Sequence, residues 1–242
     1  MKKYKTNNAV KLFGSKVVDT VYDQSRLDGL RTSYISTEKL VIYNVASEGM
    51  KLDEIQVLKN LKSVHSFIVL NYNDVAINVQ TLSAVHKIIS HDIIEEQNSG
   101  HFRRSDVFMR NLSKPLKINP VSSELFQGKL DEIMGSSFDT IKKAKLVGAL
   151  IIKEQPFADC NKRTAFSIMN LILIKENIGF VNMSEEIILS DFQDALEDLF
   201  INNNRTLFES TIDKSLLYTE DYLELSGIEC ETTYKESIDF EL

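Results

Sequence analysis

Cysteine, proline and glycine are all scarce in this 242-residue chain, and each scarcity closes off a class of architecture. The two cysteines, Cys160 and Cys230, are too few for a disulfide framework and lack the paired C-x-x-C spacing of a zinc site, so a reducing, cytoplasmic setting is the expectation. Nine glycines and three prolines leave few turn signals, which disfavours a fold made of many short strands. Long apolar runs are missing too. The basic start, Met1 to Asn8, is not followed by one, so neither a signal peptide nor a membrane-spanning helix is expected. Positive charge is in deficit, with 28 basic against 35 acidic residues and a net charge of −7. That balance disfavours nucleic acid or an anionic membrane as the main partner.

What the chain does have is a 43% hydrophobic content, ordinary for a packed core, arranged at helical spacing. The fold is expected to be mostly α, as one domain with small extensions. Leu52, Ile55, Val57, Leu58, Leu61, Val64 and His65 lie on one face of a helix beginning near Asp53, and a second helix reads from Val79 to Glu96. Val107-Phe108-Met109 and Lys114 to Pro120 read instead as extended chain with turns. Two of the three prolines, Pro115 and Pro120, fall there, and a short exposed hairpin is expected. Helix returns from Phe138 to Lys153 and from Asn161 to Asn177, with Gly179 as the stop. In the second of these, Ala165, Phe166, Ile168, Met169 and Leu171 to Ile174 cover nearly every side, which predicts a central helix surrounded by others. Further helices are expected from Ser190 to Phe200 and, after the Asn202-Asn203-Asn204 turn, through Leu217; an acidic tail follows.

Chemistry concentrates between the last two long helices, in Gln155-Pro156-Phe157-Ala158-Asp159-Cys160-Asn161-Lys162-Arg163-Thr164. Pro156 is expected to push Gln155 into an extended conformation and to end the preceding helix, and Phe157 is placed to anchor the loop in the core. Asp159 and Asn161 are candidate caps at the opening of a buried helix, whose end favours an anion such as phosphate. Arg163 would add a bidentate donor and Lys162 a point charge, while Asp159 could hold Mg²⁺ through the same phosphates. Taken alone, such a short string is also consistent with a capped helix carrying two surface cations.

This string resembles the Fic/Doc family signature, H-x-F-x-[DE]-[GA]-N-[GK]-R, at Phe157, Asp159, Asn161, Lys162 and Arg163. Gly100-His101-Phe102-Arg103 is similar to the family's G-x-[FY]-R segment ahead of its target-binding flap, and Val85-His86 falls on the helix before it. The resemblance implies a helical bundle around a buried central helix with a β-hairpin flap. It implies an amino-terminal helical extension over 1–50, a Fic domain over 51–217 and an acidic tail over 218–242. It further implies ATP with Mg²⁺ at the Phe157–Arg163 loop, Asp159 at the metal, and a target protein docked on the 103–120 flap. More weakly, Gln24-Ser25-Arg26-Leu27-Asp28-Gly29 resembles the family's inhibitory motif, with Ser25, Asp28 and Gly29 as candidate residues; the expected glutamate is Asp28, and the arginine it would pair with is replaced by Phe166. An Asp-Gly turn between a helix and the body is the plainer reading.

Two departures bear on activity. The family's histidine, which takes the proton of a target Ser, Thr or Tyr hydroxyl as that hydroxyl attacks the α-phosphate of ATP, is here Gln155, and a carboxamide is no base near neutral pH. No substitute is evident: Glu154 is adjacent but would point elsewhere, and His65, His86, His91 and His101 read as packing or surface residues. Cys160 stands where the family keeps glycine or alanine, and its side chain is expected to crowd the nucleotide. Three functions follow: an AMP-transferase relative with weak or lost activity, a non-catalytic binding protein of the same fold, or a family transferase moving phosphate or phosphocholine.

Overall fold

A computed structural model of the chain describes residues 7–27, 29–109 and 112–221. Asp28, Cys230 and the acidic tail from 222 onward lie outside the described residues. The elements run α1 (Asn8–Ser15), α2 (Val17–Arg26), α3 (Tyr34–Tyr43), α4 (Leu52–Asn71), α5 (Val79–Ser90), β1 (Val107–Met109), β2 (Leu116–Ile118), α6 (Ser123–Gly135), α7 (Thr140–Glu154), α8 (Asn161–Lys175), β3 (Gly179–Val181), α9 (Glu185–Leu189), α10 (Asp191–Ile201), α11 (Thr206–Lys214) and β4 (Leu216–Tyr218). The fold is mostly α, a helical bundle with a short β-hairpin, as expected.

Helix α8 is the centre. Every residue from Arg163 to Ile174 is buried, and α7, α5, α4 and α1 pack against it. Its closest neighbour is α7, which approaches through Gly148: a β-carbon there would lie 2.3 Å from Met169 Sδ. One buried polar residue on α8 organises a neighbour, since Asn170 donates to Val181 O at 3.1 Å and accepts from Val181 N at 2.7 Å. Helix starts follow ordinary side-chain capping: Asn7, Ser33, Asn78, Ser122 and Asp139 each accept from a backbone N–H of the first turn of the helix they open.

Several expectations are corrected. The helix from Val79 ends at Ser90, not Glu96: His91 leaves the helical region (ψ 126), Asp92 turns left-handed (φ 53), and a 3-10 turn follows at Glu96–Asn98. Leu52 opens α4 but is 85% exposed, so it is no part of the core face. Gly179 does not stop α8. Asn177 does, in the left-handed region (φ 57), with its N–H on Ile174 O and that of Ile178 on Leu173 O. The helix expected through Leu217 stops at Lys214, and the chain from Leu216 becomes β4, which pairs antiparallel with β3.

Candidate active site

The loop between α7 and α8 is built from both ends. Gln155 closes α7 in a left-handed conformation (φ 45, ψ 59), not the extended one expected before proline, and its N–H still bonds Ile151 O; Pro156, without an N–H, cannot continue the helix. Cys160 then opens α8, again left-handed (φ 60). That conformation, easiest for glycine, is a physical reason for a small residue at this position, and the sequence reading missed it. Asn161 is the first helical residue rather than the cap, and its carboxamide ties the loop shut: Oδ1 accepts from Phe157 N at 3.0 Å, while Nδ2 donates to Phe157 O and to Gln155 Oε1, both at 2.9 Å.

Phe157 is fully buried. Its ring stacks on His86 (centroids 3.9 Å apart, 9° between planes) and meets Phe102 edge-on at 5.2 Å. His86 takes Gly100 N–H on Nδ1 at 2.9 Å and places Nε2 3.1 Å from Asp159 O. Burial pushes its pKa down to about 4, so the ring is neutral at physiological pH. On the other side Arg103, also buried, donates from Nε to Gln155 O (2.5 Å) and from Nη2 to Asn119 O (2.8 Å) and Glu154 O (3.3 Å); a further bond goes to Ser105 O, and its backbone N–H reaches Pro156 O. One guanidinium thus joins both roots of the β1–β2 hairpin to the end of α7. Residue type alone indicates neither this bridge nor the His86 bridge, although the sequence places both residues just ahead of the hairpin.

A cavity of about 280 Å³ opens beside the loop, lined by Gln155, Ala158, Asp159, Asn161 and Lys162, by Phe108 and Met109 of the hairpin, and by Gln193 and Phe200 of α10. The structure therefore brings Gln155, Asp159, Asn161 and Lys162 to one wall. Phe157, Cys160 and Arg163 do not line it. Cys160 is buried, with its Sγ 3.2 Å from Arg163 Nη2, so its side chain does not crowd the cavity. Arg163 is itself only 3% exposed. Asp159 is exposed and accepts Cys160 N–H on one carboxylate oxygen at 2.6 Å. Lys162 Nζ donates to Leu27 O, tying the turn after α2 to this loop. At the end of α2 Ser25 is buried with its hydroxyl on Tyr22 O (2.6 Å), and in the turn beyond it Gly29 is left-handed (φ 79). Phe166 is core, edge-on to Phe192 at 5.6 Å.

Glu154 reaches Lys129 Nζ at 2.5 Å, a partner outside the cavity. His65 is buried, stacked on Phe13 and bonded to Phe13 O, and His91 and His101 are exposed. Among the described residues no helix is long and apolar enough to cross a membrane, and no three His, Cys, Asp or Glu side chains cluster as metal ligands.

The Fic/DOC family profile matches residues 76–173, from just before α5 to near the end of α8. The chain is 22% identical over 178 residues to "Protein adenylyltransferase Fic" of Aedes aegypti, covering 70% of this chain and 35% of that protein. It is equally similar, at 22% over 163 residues, to the protein of the same name in Culex quinquefasciatus, covering 65% and 32%. It thus spans about a third of the length of these relatives. Among solved structures it superposes on a Fic family protein from Desulfovibrio desulfuricans G20 with a TM-score of 0.72 at 14% identity, covering 91% of this chain and 68% of that one. Fic-1 (aa134–508) from C. elegans gives 0.69 at 16%, covering 92% and 65%. A Fic domain containing signaling protein from Bacteroides thetaiotaomicron gives 0.66 at 15%, covering 93% and 87%.

Proposed function

This chain is a Fic/DOC-domain protein, and from that premise we propose that the cavity beside the 155–163 loop holds ATP with Mg²⁺ and faces a target-protein hydroxyl, AMP transfer being weak or lost because Gln155 replaces the family's histidine. The observation that carries the reading is the shared wall on which Asp159, Asn161 and Lys162 stand with the first turn of α8. A helix start offers amide donors and the positive end of its dipole to phosphate, and Lys162 adds a cation.

The donor set fits a phosphate-bound cation. Mg²⁺ is commonly held by one or two carboxylates together with substrate phosphates and water, and Asp159 is an exposed carboxylate on the cavity wall with one oxygen beyond its bond to Cys160 N–H. Bound there, the ion would neutralise phosphate charge. Gln155 can donate to or accept from an incoming hydroxyl but cannot remove its proton near neutral pH. The β1–β2 hairpin gives a target chain an edge to pair with, and Phe108, 59% exposed, gives it an apolar contact. In the same reading residues 24–29 restrain the site, because the Leu27 carbonyl takes the Lys162 ammonium that a phosphate would otherwise attract.

One observation favours a second reading, a non-catalytic binding protein. The Gln155 carboxamide is already engaged at both ends, by Asn161 Nδ2 and by Ile152 O. Calorimetric titration with ATP·Mg²⁺ separates the two: heat and thermal stabilisation are expected for the nucleotide site, and their absence leaves the binding module. Mass spectrometry of a lysate incubated with the protein and ATP then identifies the group moved, AMP being expected over phosphate or phosphocholine.

A further inference from the structure

Pro156 stops α7, so the carbonyls at the end of that helix need donors from elsewhere in the chain. Arg103 supplies them. It donates from Nε to Gln155 O at 2.5 Å and from Nη2 to Glu154 O at 3.3 Å, and its backbone N–H goes to Pro156 O at 2.9 Å. The rest of the same fork reaches the hairpin: Nη1 donates to Ser105 O, two residues ahead of β1, and Nη2 to Asn119 O, just after β2, at 2.8 Å. One buried guanidinium therefore ties three separate backbone segments together.

Such a tie matters because the hairpin is too small to hold its own position. Its strands have three residues each; Phe108 and Lys117 lie opposite one another and are exposed, while Val107, Met109, Leu116 and Ile118 are half-buried. At the tip, Ser113 N–H meets Glu197 of α10 at 3.0 Å, in an exposed bond open to competition from water. Arg103 does not line the cavity, whereas Gln155 and the hairpin residues Val107, Phe108 and Met109 do.

We propose that Arg103 is a positioning residue for transfer: it sets the distance between the hairpin edge, along which a target chain would lie, and residue 155, which would meet the target hydroxyl. The proposal rests on the reading of the hairpin as a target edge beside a nucleotide site. Lysine cannot replace the fork, because one ammonium does not span carbonyls on three segments. Without the fork, the hairpin and residue 155 move independently, and a misplacement of about 1 Å can cost roughly 10²-fold in rate.

The test uses the full chain carrying Gln155→His, alone and combined with Arg103→Lys or Arg103→Gln, with ATP·Mg²⁺ as the probe. In the transfer, the hydroxyl oxygen bonds the α-phosphorus, the bond to the β-phosphate breaks, pyrophosphate leaves, and the hydroxyl proton passes to the base that Gln155→His introduces. Protein-bound AMP is followed by intact mass across ATP concentrations, and hydrogen exchange is followed at the amides of β1, β2 and α8. Both double variants are expected to show kcat for attachment reduced roughly tenfold or more with KM for ATP within about threefold, faster exchange in β1 and β2, and unchanged protection in α8. Attachment as fast as in Gln155→His alone, or unchanged exchange in the hairpin, would overturn the proposal. So would lost protection in α8, or a rise in KM that matches the fall in kcat, since either marks Arg103 as a general structural residue. If Gln155→His alone binds ATP·Mg²⁺ yet attaches no AMP to protein, the target-edge reading itself fails and takes the proposal with it; if it binds no ATP·Mg²⁺, the nucleotide site fails first.

Discussion

The Asn161 carboxamide donates to Gln155 Oε1 across 2.9 Å, joining the first residue of α8 to the last residue of the turn that ends α7. Asn161 also satisfies both the N–H and the C=O of the buried Phe157, so one side chain closes the loop on itself. Its replacement leaves two backbone groups in the core without that partner, and an unmet buried hydrogen-bonding group costs about 1–3 kcal/mol.

Asn161→Ala is therefore expected to lower thermal stability by roughly 4–8 °C, the shift that about 2 kcal/mol produces in a domain of this size. Differential scanning fluorimetry without ligand checks it. A melting temperature within a degree of the unmutated protein would mean that the loop is held elsewhere.

Gly179 is expected to tolerate no side chain. At φ 154 its added β-carbon would lie 1.9 Å from Leu217 O and 2.9 Å from Leu217 C, both backbone atoms of the paired strand. Gly179→Ala must push β4 off β3, and a loss of roughly 2 kcal/mol or more is expected. Chemical denaturation measures it, and hydrogen exchange should report lost protection at the β3–β4 amides.

Stability is expected to fall as pH drops from about 6.5 toward 4. His65 and His86 are buried, and burial pushes the pKa of each from 6.5 down to about 4, so the folded chain takes up fewer protons than the unfolded one across that window. Their contribution is complete above 6.5 and is lost as pH falls through the folded value. Asp23 works the other way. Burial raises its pKa from 3.8 to about 6 against a lowering bond from Asn182, so its contribution is present below 3.8 and lost as pH rises through 6. Asp23→Asn should therefore raise the melting temperature at pH 7.5 and lose that advantage near pH 4.

The central helix, the hairpin and the Phe157 anchor were legible because each depends on an apolar pattern or on proline placement. Three kinds of feature were not. Ile93 and Ile94 continue the apolar spacing past Ser90, so only the backbone reveals the helix end, through His91 (ψ 126) and the left-handed Asp92. Strands β3 and β4 are three residues each, too short for a period of two to show, and Asn170, which fixes β3, sits among residues that read as uniformly apolar. Within the site, residue type located the loop, but direction did not follow. Arg163 and Cys160 turn inward while Lys162 reaches back to Leu27, because left-handed residues at 155 and 160 reorient the chain between them.

Gln155→His is expected to restore a base where the carboxamide offers none. A hydroxyl that attacks phosphorus must lose its proton as the bond forms, and a positioned base typically contributes about 10²–10⁴ in rate. The imidazole would stand at the C-terminal end of α7, in the place where Asn161 Nδ2 now meets Gln155 Oε1, so a donor is already present to orient one ring nitrogen and leave the other toward the cavity. With ATP·Mg²⁺ supplied, the variant should add AMP to itself or to a target at a rate at least a hundredfold above the unmutated chain, measured as a mass increase on intact protein. A variant that binds ATP as tightly as the unmutated protein yet modifies nothing would show that more than the missing base separates this site from its active relatives, and would favour the binding protein over the transferase.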